Sequence, residues 1–352
     1  MKSDPVNNAL STATIRRKDE HLDLCLHADV QGLDAGTGLD RYRFRHNALP
    51  ELDFASIDTS ARFLGRALKT PFLVSSMTGG TPRAGDINRR LATVAQARGW
   101  AMGLGSLRAA IENPEAATSF RVRKLAPDIP LIANIGAVQL NYGFNAEKCS
   151  QAIDIAEADG LVLHLNSLQE AIQTGGNTDF SGLLRQIEKV CRSLNVPVGV
   201  KEVGWGIDGE TARLLSDAGV RFIDVAGAGG TSWSQVEKLR ATDPVKKAAA
   251  EAFSQWGLPT AECIREVRSE LPGMLLIGSG GIGNGLQAAK ALALGANLAG
   301  FGRGLLEAAH DSEETLGRVF EQAELELRLA MFGIGAANIR ELGETKRLVK
   351  NE

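Results

Sequence analysis

Eight short apolar runs punctuate the chain, at 72–76, 101–105, 131–135, 161–165, 198–202, 222–226, 274–279 and 298–302. Each runs into Gly, Ser, Asn or a charged residue, and each is followed by a segment with helical spacing. Apolar runs of this length suit strands buried on both faces, and strands that alternate with helices build a parallel sheet. Eight such units closing on themselves make an α/β fold of the TIM (β/α)8 type. Beyond the last run the pattern predicts helix over 305–333, and the closing KRLVKNE is polar. Residues 1–15 are small and polar and read as a flexible tail ahead of a single domain, 16–352. Within that domain, the stretch to about residue 70 reads as a segment that wraps the barrel. The connection 231–272, between the sixth and seventh runs, is unusually long for a barrel loop and carries Trp233 and Trp256, the pattern of a lid or an oligomer contact.

A barrel of this kind places its ligands where loops leave the carboxyl ends of the strands, so the residues just after each run carry the functional information. The fourth run exits into His164, Asn166, Gln169 and Glu170, which together offer donors, acceptors and one anionic oxygen ligand. Asn166 or Ser167 also suits the N-cap of the following helix. The first run exits into Ser75, Ser76, Met77, Thr78, Gly79 and Gly80, the second into Ser106, Leu107 and Arg108, and the third contains Asn134. Lys201 closes the fifth run, where a buried ammonium needs an anion.

Three late loops are rich in glycine: 226–232, 278–285 and 300–304. Residues 278–283 match GxGxxG, yet the run ahead of them is seventh rather than first, and Arg303 stands where a dinucleotide fold needs an acid. Backbone N–H groups after the last two strands of a TIM barrel are instead a phosphate site. One phosphate grip, Lys201, Asn134 and the small residues after the first run suit FMN lying across the mouth, with Lys201 stabilising a reduced, anionic ring. Arg17, Lys18 and His21 share a helical face, which reads either as a solvated helix end or, with Arg108, as the grip for a second anion. Glu170 then remains for Mg²⁺, which is commonly held by one carboxylate and substrate phosphates.

Composition excludes other classes. A formal charge of −3 with no long basic run argues against nucleic acid. No apolar segment reaches the roughly 18 residues of a membrane span and no signal-peptide pattern opens the chain, so a cytoplasmic protein is expected. The four cysteines, Cys25, Cys149, Cys191 and Cys263, are dispersed and read as buried thiols.

The ordered set RRKDEH, SSMTGG, GSLR, ANIGA, HLNSLQE, VKEVG, AGAGGTSW and SGGIGNG resembles the type 2 isopentenyl diphosphate isomerases over nearly the whole chain. The resemblance implies a homo-oligomeric TIM barrel, tetramer or octamer, that uses reduced FMN and Mg²⁺ to interconvert isopentenyl and dimethylallyl diphosphate, with NADPH as flavin reductant. It implies substrate contacts at Arg17, Lys18, His21, Ser106, Leu107, Arg108 and Gln169, a metal ligand at Glu170, and active-site roles for Gln169 and His164. Ser76, Met77, Thr78, Ser106, Asn134, Lys201, Thr231, Gly281, Ile282, Gly283, Gly302 and Arg303 fall on flavin-contacting positions. The chain departs from the family pattern at Leu107, Gly175, Asn177, Gly283 and Gln287, changes that bear on affinity more than on reaction type. The alternatives are an FMN oxidoreductase on the same barrel, disfavoured because AGAGGTSW lacks the His and Arg base pair, and a non-catalytic flavin-binding paralogue. A cysteine-dependent nucleotide dehydrogenase finds no Cys in these loops, and a Schiff-base aldolase built on Lys201 has no need of three glycine-rich loops.

Overall fold

The computed structural model describes residues 5–32 and 36–351, and a closed barrel of eight parallel strands forms its centre. The strands are β1 (Phe72–Val74), β2 (Ala101–Gly103), β3 (Leu131–Gly136), β4 (Gly160–His164), β5 (Val198–Lys201), β6 (Phe222–Asp224), β7 (Leu275–Ser279) and β8 (Leu298–Phe301). All eight expected runs are therefore strands. β8 closes onto β1, with Ala299 opposite Phe72, and β6 pairs with β7 across the long connection.

The helices start where polar side chains satisfy their first free N–H groups. Thr81 accepts from Ala84 N, with Pro82 at the first helical position, and Gly99 in a left-handed conformation stops Pro82–Arg98. Asn145, Asp208, Asn284 and Ser312 cap later helices in the same way.

The barrel interior has two storeys, set by the alternation of side chains along each strand. The lower storey is apolar: Leu73, Ala101, Ile132, Val162, Phe222, Ile277 and Leu298 form one cluster. β5 contributes Gly199 at this level, because a Cβ there would lie 2.2 Å from the Phe222 ring. A hairpin of Ala61–Phe63 with Arg66–Leu68 closes the floor from below. Its Phe63 meets Phe222 edge to face, centroids 5.5 Å apart. Two residues further along each strand, the inward positions are Ser75, Gly103, Asn134, His164, Lys201, Asp224, Ser279 and Gly300. The same face has changed from apolar to polar or small, and this upper storey is the floor of the site. Crowding decides its glycines: a Cβ on Gly103 would stand 2.6 Å from Ser76 Oγ, and one on Gly300 2.7 Å from Ser75 Oγ.

Outside the barrel, a helix spans Pro5–His27, so helical backbone occupies 5–15, where a flexible tail was expected; residues 1–4 lie outside the described residues. The polar C-terminal end forms a strand, Leu348–Lys350, antiparallel to Tyr42–Phe44, so the wrapping segment is tied down by the end of the chain. The connection after β6 holds three helices, Trp233–Arg240, Pro244–Ala252 and Thr260–Glu270. The region after β8, expected as one helix over 305–333, is two helices, Leu306–Asp311 and Glu313–Ile334, parted at Ser312, whose side chain caps the second. Among the described residues no helix is long and apolar enough to cross a membrane.

Candidate active site

A cavity of about 660 Å³ opens over the upper storey, walled by the strand exits and by one face of Pro5–His27. It brings together every site residue expected from sequence except one. Arg17, Lys18, His21, Ser76, Met77, Thr78, Ser106, Arg108, Asn134, His164, Gln169, Glu170, Lys201, Thr231, Gly281, Ile282, Gly283, Gly302 and Arg303 all line it. Leu107 does not: its side chain is wholly buried in the core, and only its backbone N–H reaches toward the site, donating to Asn134 O at 2.8 Å. An apolar side chain at that position turns down into the packing between strands and helices, so its expected substrate contact is corrected.

One wall is cationic. Lys18 Nζ donates to the Ser106 carbonyl at 2.8 Å and lies 5.3 Å from the Phe120 ring centroid. Burial, then the neighbouring Arg17 and Arg108, bring its pKa down to about 7 against the pull of Glu112. Arg108 donates to Glu112 at 2.7 Å and to Asn177 Oδ1 at 3.0 Å. Arg17 makes no ion pair among the described residues, and burial lowers its pKa although Glu170 favours the charge. Two guanidiniums and an ammonium thus face a cavity with few contacting anions of their own.

The carboxylate of Glu170 stands against this wall, and its hydrogen bonds come only from neutral groups. Asn166 Nδ2 donates to Oε1 at 3.0 Å, while Gln173 Nε2 at 3.3 Å and Asn177 N at 2.6 Å donate to Oε2. Asn166 occupies the N-cap position of Ser167–Ile172 but makes no side-chain cap; its amide serves Glu170 and Gln169 instead, and its Oδ1 is a buried atom with no partner. No group of three His, Cys, Asp or Glu side chains forms a metal cluster among the described residues, so a cation here would take most of its ligands from a phosphate or water.

Gln169 is clamped at both ends of its amide. Asn166 Nδ2 approaches its Oε1 at 3.3 Å, and its Nε2 reaches Glu237 Oε1 at 3.5 Å. Glu237 went unnoticed in the sequence, where it is one acid among several in a charged connection. It is buried, accepts from His21 Nε2 at 2.9 Å and pairs with Arg240 at 2.7 Å. Burial raises its carboxyl, but the His21 bond and the Arg240 charge outweigh that and leave it below the usual range. Burial also lowers His21, which the carboxylate only partly restores. His21 meets Trp233 edge to face at 5.0 Å, and Trp233 lines the cavity.

On the barrel floor, burial and the charges of Lys201 and Lys18 bring His164 down to about 3. Its Nδ1 lies 2.8 Å from Asn134 Oδ1, so the neutral ring donates there and keeps Nε2 as an acceptor. Lys201 Nζ donates to the Glu202 carbonyl. Burial raises Asp224, whose carboxylate accepts from Ser279 Oγ. Glu202 gathers the N–H groups of Gly204, Trp205 and Gly206 and so shapes the loop after β5.

The glycine-rich loops divide into two kinds. Gly281, at φ 70°, is required by packing, since its Cβ would sit 2.3 Å from Gly229 backbone. Gly302 and Gly304 face open space: a Cβ would meet only Ser75 Cβ at 4.0 Å in the first and nothing within 4 Å in the second. Arg303 lies between them with no ion pair among the described residues, and Ser75 Oγ below is buried and unpartnered. An open cradle, a free guanidinium and an orphaned hydroxyl fit a phosphorylated, flat group. Cys25 also lines this end; burial raises its thiol to about 11 against Arg303, and it is partly rather than fully buried.

Residues 162–350 match the family model of the FMN-dependent dehydrogenases. Isopentenyl-diphosphate delta-isomerases from Oceanobacillus iheyensis and Nostoc sp. are 57% and 49% identical to the chain. They cover 95% of it and 95% of the first relative, and 98% of it and 99% of the second. A mandelate oxidase with a monooxide FMN adduct superposes with a TM-score of 0.65 at 18% identity, over 96% of this chain and 98% of that one. A second mandelate oxidase structure, with a difluorinated hydroxy acid, has the same TM-score and identity over 98% and 99%. These last two likenesses bear on the fold alone, whereas the first two reach nearly end to end at high identity. The chain belongs to the isopentenyl-diphosphate delta-isomerase family, built on the domain of the FMN-dependent dehydrogenases.

Proposed function

We propose that this protein interconverts isopentenyl diphosphate and dimethylallyl diphosphate with FMN seated across the upper storey of its barrel. The observation that carries the reading is one wall: Arg17, Lys18 and Arg108 line the same cavity as the carboxylate of Glu170, beside the neutral amide of Gln169 held at both ends. The first three match a diphosphate, whose charge is held best by fixed cations in a dry site. Glu170, hydrogen-bonded only by neutral donors, would hold Mg²⁺ together with the substrate's phosphates. Gly302, Gly304 and Arg303 would take the flavin phosphate, and Lys201, Asn134 and His164 would underlie its ring.

When bound, reduced FMN would supply an electron-rich ring able to exchange protons, as needed by an isomerisation in which one carbon of the substrate gains a proton and another loses a different one. The protein's own groups have different tasks. Gln169 is neither a strong acid nor a strong base at neutral pH, so its amide orients the alkene rather than protonating it. His164, held neutral, fixes the Asn134 amide. The Trp233 face, braced by His21, lies along the cavity, where an aromatic ring favours developing positive charge. Leu22, Leu26 and Ile282 keep water from the alkene end.

The test is conversion of isopentenyl diphosphate under anaerobic conditions with FMN, Mg²⁺ and NADPH, omitting each in turn. Turnover that needs reduced flavin and Mg²⁺ but consumes no stoichiometric NADPH is expected. Stoichiometric oxidation of NADPH with substrate would instead support an oxidoreductase.

A further inference from the structure

We infer that Asn177 is a positioning residue that aims Arg108 at the substrate's diphosphate while fixing the carboxylate of Glu170, and that its neutrality is part of that role. The inference rests on the isomerase reading of the site. The loop after Ser167–Ile172 folds straight back on its own helix: a Cβ on Gly176 would stand 2.0 Å from Glu170 O. That return brings Asn177 N within 2.6 Å of Glu170 Oε2. The Asn177 side chain points the other way, where its Oδ1 accepts from Arg108 at 3.0 Å and from Gln139 Nε2 at 3.3 Å. Two donors on one oxygen fix the amide's orientation, so a single residue ties the anion-binding arginine to the metal-binding carboxylate.

Charge explains why an amide suits this position. Arg108 is already paired with Glu112 at 2.7 Å. A second carboxylate at 177 would overcompensate the guanidinium and set another anion beside Glu170, and both effects oppose a diphosphate arriving without its metal. An amide aims the arginine and leaves its remaining charge for the ligand.

The experiment titrates inorganic pyrophosphate into the flavin-loaded protein by calorimetry, with and without Mg²⁺, for wild type, Asn177→Ala and Asn177→Asp, alongside KM and kcat. Flavin loading, which none of these bonds touches, reports that each variant is folded. Asn177→Ala, which frees Arg108, is expected to bind metal-free pyrophosphate about tenfold more weakly, as the loss of a charge-assisted bond implies. Its defect should fall on KM more than on kcat. Asn177→Asp keeps the acceptor but adds charge, so it should bind metal-free pyrophosphate weakly and regain most of the loss when Mg²⁺ is added, which Asn177→Ala should not do. Alanine affinity within twofold of wild type, or equal responses of the two variants to Mg²⁺, overturns the inference while leaving the isomerase reading intact. A wild-type protein that loads flavin yet binds no pyrophosphate removes both.

Discussion

Lys18 sits where a small change in pH alters the charge of the cationic wall proposed to take the diphosphate. Its pKa of about 7 in the free protein means that the ammonium is present below pH 7 and is progressively lost above it. Pyrophosphate affinity should therefore fall as pH rises from about 6 to 8, and binding near pH 7.5 should take up a proton. Because the ligand also titrates, the check is a comparison with Lys18→Arg, whose guanidinium keeps its charge throughout. The arginine variant should show a flatter affinity profile and less proton uptake in buffers of different ionisation heat. Glu237 makes a second prediction at this scale. Its carboxylate holds His21, Arg240 and, more loosely, Gln169, so Glu237→Gln loses an ionic acceptor shared by three donors. Turnover should fall about tenfold to a hundredfold, with flavin affinity unchanged because the end proposed to take the flavin lies on another wall; spectrophotometric flavin titration and steady-state kinetics separate the two.

Two elements far apart in sequence meet at the cavity. Pro5–His27 and Trp233–Arg240 are joined by His21 to Glu237 and by Arg240 to Glu20, which also takes Arg16. A ligand that engages Arg17 and Lys18 loads the first helix and, through these bonds, the second. Hydrogen exchange should therefore show both becoming protected together when pyrophosphate binds. Unchanged exchange in 233–240 would remove the lid role expected for that connection. Legibility divides along the same line. The eight strands and their exits could be read because apolar runs with polar ends are local patterns, and Gln169, Glu170 and Lys201 each sit at such an exit. Glu237, Gln139 and Gln173 could not, since each matters only through a side chain that the fold brings from elsewhere. Leu107 was misplaced for a related reason: its neighbours Ser106 and Arg108 face the cavity, but the first turn of a helix sends the residue between them into the core.

For the molecule as a whole, the two storeys of the barrel divide stability from chemistry. The lower storey joins seven strands and the hairpin through apolar contacts alone, and its polar counterpart begins only two residues higher. Enclosing Asp224 and His164 in that upper storey carries a desolvation cost, which the floor beneath must offset. Removing the Phe63 ring should destabilise the fold by about 3 kcal/mol or more, since the ring packs on Phe222 and the floor cannot collapse around a barrel of fixed strand number. The site should hardly notice, because Phe63 lies below a complete layer of side chains. Phe63→Ala is thus expected to unfold at lower denaturant concentration while retaining flavin affinity and kcat at temperatures where it remains folded. A parallel loss of flavin affinity in the folded variant would show that the storeys are mechanically coupled, and the upper residues would then owe their placement to the floor's packing as well as to their own strands.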